Sequence, residues 1–167
     1  MKTTLKTAAV ALSTALTLAA PLAHAQSVRV EKNMSLELAN QIASSTVASC
    51  TASGYNVTAT VVDRSGQVRA MMRADNAGAH TLEASRLKAF TSASAKNLTS
   101  AMMDAAQKNP GAAHLVHIPG FLLLGGGVPV KVGNEVIGAV GVGGAPGGHL
   151  DEKCAMEALE KVQDQLK

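Results

Sequence analysis

Apolar residues recur at helical spacing near both ends of the chain and gather in short β-branched runs between them. Behind Ser35, which can cap a helix, Leu38, Ile42, Ala43, Val47 and Cys50 form one stripe, and Gly54 supplies the stop. Residues 57–62 are β-branched and predict a strand, Asp63-Arg64-Ser65-Gly66 predicts a turn, and residues 67–73 alternate as a second strand. The two strands form a hairpin that places Val68, Ala70 and Met72 on one face and Arg69, Met71 and Arg73 on the other.

Residues 74–80 read as a loop. Thr81 caps a predicted helix running to about Asn97, and a second helical piece spans residues 99–108, stopped by Asn109-Pro110-Gly111. Residues 121–124, 128–132 and 135–142 predict three further strands, with Gly133-Asn134 as the tight turn between the last two. Residues 150–167 form an amphipathic helix with Ala155, Ala158, Leu159, Val162 and Leu166 on its apolar face, and with Asp151 and Glu152 where the helix dipole favours negative charge. This order predicts an α+β domain: a five-stranded, mostly antiparallel sheet flanked by helices.

The first 25 residues stand outside that pattern. Lys2 and Lys6 precede an apolar run of 13 residues, 8–20, that is short for a bilayer span, and Pro21 and Ala23-His24-Ala25 follow. This is the layout of a cleaved secretory signal peptide, with an uncleaved anchor as the competing reading. No Cys follows the small residues, which argues against a lipoprotein, and the Ala-rich leader has a bacterial style. The expectation is a periplasmic or secreted protein with one domain over residues 26–167 and no membrane span after cleavage. Losing Lys2 and Lys6 lowers the formal net charge from +3 to +1. With so little charge, and Tyr55, Phe90 and Phe121 as the only aromatics, neither a basic footprint nor a stacking platform for nucleic acid is present.

Twelve of the 15 glycines fall between Gly111 and Gly148, on and around the last strands. Glycine weakens a strand but lets another backbone come close, so a ligand pocket or a tight subunit contact is expected there. Phosphate loops are excluded: there is no Gly-Lys-Ser/Thr, and the third position of a G-x-G-x-x-G is Pro146 or Val130. No Gly-x-Ser-x-Gly elbow occurs. Cys50 and Cys154, the only cysteines, read either as a disulfide in an oxidising compartment or as two buried thiols.

His114 and His117 have a metal-compatible spacing but lack further ligands, and read as loop histidines. His80, at the end of a Gly-containing loop before a helix, can point into a cleft and offer a neutral nitrogen to haem iron; its bland alternative is helix capping. Arg73, Arg86 and Lys88 supply positive charge for haem propionates or a small organic acid, although Arg86 and Lys88 taken singly read as a solvated helix face. Met71 and Met72 read as packing residues rather than iron ligands. Asp63 reads as a turn former and Asp151 as a helix-start residue.

Val61-Val62-Asp63-Arg64-Ser65-Gly66, the run Arg86-Leu87-Lys88-Ala89-Phe90-Thr91-Ser92-Ala93-Ser94, Ile118-Pro119-Gly120, Gly125-Gly126-Gly127-Val128-Pro129-Val130, residues 138–144 and Asp151-Glu152-Lys153-Cys154-Ala155 occur in this order. The combination resembles the GlcG/HbpS-type haem-binding family over residues 35–166. Two departures stand out: His117 occupies a position where the family commonly carries an acidic residue, and aromatics are scarce.

The resemblance implies an α/β/α sandwich of the profilin-like or PAS-like kind, homo-oligomers (often octamers) and haem as the bound molecule. It also implies that the first and last helices share a sheet face, bringing Cys50 and Cys154 together as a disulfide. On this reading the chain is an exported haem-binding protein without conventional catalysis, for storage, sensing or transfer of haem. Its cleft is shaped by Met72, Arg73, His80, Arg86 and Lys88, with His80 at the iron. The alternatives are an enzyme or accessory factor of a catabolic pathway, acting on a small organic acid in the same cleft, and a structural oligomer with only incidental ligand affinity.

Overall fold

The computed structural model describes residues 28–167; the predicted leader lies outside them. The chain from Glu31 to Lys167 forms one unit. Its elements are α1 (Leu36–Ala52), β1 (Thr58–Asp63), β2 (Val68–Arg73), α2 (His80–Ala95), α3 (Thr99–Lys108), β3 (Gly127–Val132), β4 (Glu135–Gly143) and α4 (Gly148–Lys161). A 3-10 segment, Pro110–His117, links α3 to the loop before β3. Among the described residues no helix is long and apolar enough to cross a membrane.

The sheet has four strands in the order β2-β1-β4-β3, all antiparallel, rather than the five expected. The missing strand is residues 121–124. Its backbone groups pair with helix side chains instead of a ladder: Leu122 N donates to Thr91 Oγ1 at 2.8 Å, and the Leu124 carbonyl accepts from Thr99 Oγ1 at 2.8 Å. A run whose hydrogen bonds are met this way gains nothing by joining a sheet edge.

Local signals explain the ends of the elements. Ser35 Oγ accepts from Leu38 N at the head of α1, and Gly54 follows that helix at φ +84. Asp63 Oδ1 accepts from Ser65 N and Gln67 N, closing the β1–β2 turn as its residue type predicts.

Helices cover both faces of the sheet. On one face, α1 and α4 pack with Ile42, Ala43, Val61, Val130, Val140, Val142 and Ala155 in the main core. Cys50 of α1 and Cys154 of α4 are joined there by a disulfide, Cα–Cα 5.3 Å. On the other face lies α2, whose buried side mixes hydroxyls with Ala89 and Ala93, which cluster with Val62 and Ala139. Thr58 meets Thr81, and Thr60 meets Ser85, each pair at 2.7 Å between hydroxyls.

Gly141 makes the approach of α2 possible: a Cβ there would lie 2.1 Å from the Ser85 carbonyl oxygen and 2.4 Å from Ala89 N. Part of the glycine run thus serves helix-on-strand packing inside the protomer, not the ligand pocket or subunit contact expected of it.

Candidate functional site

The heads of α2 and α4 both line a cleft of about 250 Å³. His80, Ala84 and Lys88 line it from α2, Asp151 from α4, and Leu124 and the glycine-rich residues 143–148 close the remaining walls. The walls are held by backbone contact: a Cβ on Gly148 would fall 2.7 Å from the Gly125 carbonyl oxygen. Leu124 is 45 % exposed at the rim.

A buried ion pair forms the base of the cleft. Lys88 Nζ donates to Asp151 Oδ2 and to the Val142 carbonyl, both at 2.8 Å, and each charged side chain is only 3 % exposed. Asp151 Oδ1 accepts from Ala145 N at 3.0 Å, so the same carboxylate ties down the loop that forms the cleft wall. Burial pushes the Asp151 carboxyl above its usual range, and Lys88 and the Ala145 amide only partly offset it.

The neighbouring Glu152 is also buried; its Oε1 accepts from Ser100 N and Gly126 N, and its Oε2 from Ser100 Oγ. The first turn of α4 thereby clamps α3, the glycine loop and α2 together.

His80 and Lys88 are the two predicted site residues that the structure brings to this cleft. His80 is exposed and opens α2, one residue earlier than the predicted cap. Lys88 corrects the solvated-face reading, since it is buried and its ammonium is committed. The clue lay in its spacing: Lys88 falls on one helical stripe with the small polar residues Thr81, Ser85 and Ser92, all buried.

The other three predicted residues lie elsewhere. Met72 faces the α1–α4 side, where it borders a groove with Gln41, Ser45 and Gln165. Its β2 neighbour two residues back, Ala70, belongs to that core, and strand alternation sends both the same way. Arg73 turns back on its own loop: its Nε donates to the Ala77 carbonyl at 2.9 Å, and a second guanidinium nitrogen donates to the same oxygen. Arg86 grips Glu83 with two bonds of 2.8 and 2.7 Å on the exposed side of α2. That pairing lowers the Glu83 carboxyl and raises the guanidinium.

His114 and His117 are exposed on the 3-10 segment, ring centroids 5.6 Å apart. Among the described residues no cluster of three or more His, Cys, Asp or Glu could hold a metal ion.

As chemistry, the cleft offers one exposed imidazole, apolar patches from Ala84, Leu124 and Pro146, and close backbone approach along residues 143–148. Those features suit a flat, largely apolar ligand carrying a Lewis-acidic centre for the imidazole. Among the cleft-lining residues the cation, Lys88, is already neutralised by Asp151.

Comparison with known proteins places this geometry. A family profile described as "Haem degrading protein HbpS-like" matches residues 34–160. The crystal structure of HbpS superposes with TM-score 0.77 at 33 % identity, covering 81 % of this chain and 94 % of that one. An HbpS double mutant of Streptomyces reticuli gives TM-score 0.76 and 31 % identity over 93 % of this chain and 99 % of that one. A haem complex of PduOC gives TM-score 0.68 at 22 % identity, covering 77 % and 94 %, and shows the shared fold.

An uncharacterised 15.0 kDa protein from the dhaT–dhaS intergenic region of Citrobacter freundii is 38 % identical over 88 residues. That match covers 50 % of this chain and spans 61 % of the curated relative's length.

Proposed function

We propose, from the premise that the chain belongs to the HbpS-like family, that it is an exported haem-binding protein working as a homo-oligomer. The observation that carries the reading is the exposed His80 imidazole standing at the mouth of a cleft with glycine and apolar walls. His80 would ligate the iron, and Ala84, Leu124 and Pro146 would lie against the macrocycle. Haem, when bound, supplies the iron-centred redox chemistry; the protein supplies one axial nitrogen, apolar burial and orientation.

Lys88 is spent on Asp151 and Arg86 pairs with Glu83 away from the cleft, so the propionates would leave the cleft mouth toward solvent or a neighbouring copy. At about 250 Å³ the cleft falls below the roughly 300–1,000 Å³ of pockets that enclose a drug-sized ligand. A macrocycle would therefore stand partly outside one protomer, and a neighbouring copy would cover the remainder. The rival organic-acid reading needs Lys88 as a free carboxylate clamp, a role its commitment to Asp151 and the Val142 carbonyl removes.

Titration of haemin into the processed protein tests the binding; a saturable Soret band is expected, and none would sink the proposal. Light scattering tests the assembly, for which an octamer is expected. The mass of the protein recovered from the periplasm tests export, with Gln26 expected as its first residue.

A further inference from the structure

Gly78 has no backbone reason to be glycine. It is absent from the positive-φ positions, unlike Gly54, Gly66 and Gly120. Its carbonyl accepts from Thr81 N at 3.0 Å and Thr81 Oγ1 at 2.6 Å, bonds that the carbonyl of another residue could equally make. A side chain at this position would instead meet the His80 ring. A Cβ would fall 2.8 Å from Cε1 and 2.9 Å from Nδ1 of that imidazole, with Nε2 farther off at 3.9 Å. Approaches that short do not persist, so the ring at the end of its flexible side chain would have to move.

We infer that Gly78 is a positioning residue for His80: by lacking a Cβ it lets the imidazole fold back over the capping turn of α2. The Nδ1–Cε1 edge then rests against the glycine, and Nε2 is the ring nitrogen farther from it. The inference rests on the haem reading above and adds to it the residue that sets the ligand's orientation. Groups that orient a metal-ligating histidine typically carry a 10–100-fold share of metal affinity. Here the orienting device is an absence of bulk rather than a hydrogen bond.

The test is Gly78→Ala, read in three ways. In the ligand-free protein the Cε1–H NMR signal of His80, assigned by its loss in His80→Ala, should shift, while those of His114, His117 and His149 stay in place. In a stability cycle, Gly78→Ala should be more destabilising in the wild-type background than beside His80→Ala, because the clash leaves with the ring while the intrinsic Gly-to-Ala effect stays. With haemin, the dissociation constant should rise roughly ten- to a hundredfold and the Soret maximum should move toward that of His80→Ala.

An unmoved His80 signal, or additive stability effects, would overturn the positioning. A moved signal with unchanged affinity and Soret band would overturn its role in ligand binding. Absence of a saturable band in the wild type would remove the haem reading itself. A wild-type band insensitive to Gly78→Ala would remove only the inference drawn here.

Discussion

Lys88 Nζ and Asp151 Oδ2 meet 2.8 Å apart beneath the cleft and join α2 to α4 through an ion pair that water barely reaches. Removing the lysine alone leaves a carboxylate buried beside Glu152 without its cation. Lys88→Met should destabilise the protein by about 3–5 kcal/mol, the usual result of breaking a buried pair from one side. Adding Asp151→Leu should recover most of that loss, because the unpaired charge goes with it. Urea unfolding of the single and double variants checks this; an equally unstable double variant would contradict it.

The same pair sets a pH dependence with an unusual sign. Asp151 has a raised pKa because burial opposes its charge. Its stabilising term is therefore fully present below the unfolded carboxylate value of 3.8 and is lost as pH rises through the folded value. Glu135, lowered chiefly by its hydrogen bond from Arg64, works the opposite way: its contribution is present above 4.5 and lost as pH falls through its folded value. Asp151→Asn should abolish the first trend and keep the second. Unfolding free energies measured from about pH 3 to about pH 7 should show the wild-type-minus-variant difference falling with pH; a rising difference would contradict the assignment.

The disulfide clips the end of α1 to α4 across a sequence separation of 104 residues. Closing so long a loop restricts the unfolded chain strongly, so reduction or Cys50→Ser should cost about 2–5 kcal/mol. Denaturant midpoints with and without reductant give the value. Thiol alkylation without reductant followed by mass analysis should label no cysteine, and two labelled thiols would refute the bond.

Gly141→Ala should lower stability by about 1–3 kcal/mol or more, because its Cβ would strike the α2 backbone, which cannot rotate away. Hydrogen exchange should quicken in α2 more than in α1. A variant of wild-type stability would mean that α2 does not rest on β4 as closely as described.

The sequence showed most of the fold because its punctuation is local. Ser35, Gly54, Asp63 with Gly66, and Gly133-Asn134 each act through their own neighbours, so α1 and both hairpins could be read directly. Residues 121–124 could not, since an apolar run looks the same whether it pairs with a strand or, as here, hands its hydrogen bonds to Thr91 and Thr99.

The site was legible in part. His80 drew notice from its place before a helix, but Met72 was grouped with it because strand alternation does not say which sheet face α2 will cover. Lys88 read as a solvated face and Asp151 only as a helix-start residue, because nothing in the primary order shows that residues 63 apart become partners.

The central claim is that His80 presents iron-ligating nitrogen to haem at the head of α2. The most direct measurement is a haemin titration of the processed protein and of His80→Ala, followed at the Soret band. The account predicts saturable binding to the wild type, with a band that is displaced and weakened in the variant. Saturable binding unchanged by His80→Ala would contradict the ligand, and absence of saturable binding to the wild type would contradict the function.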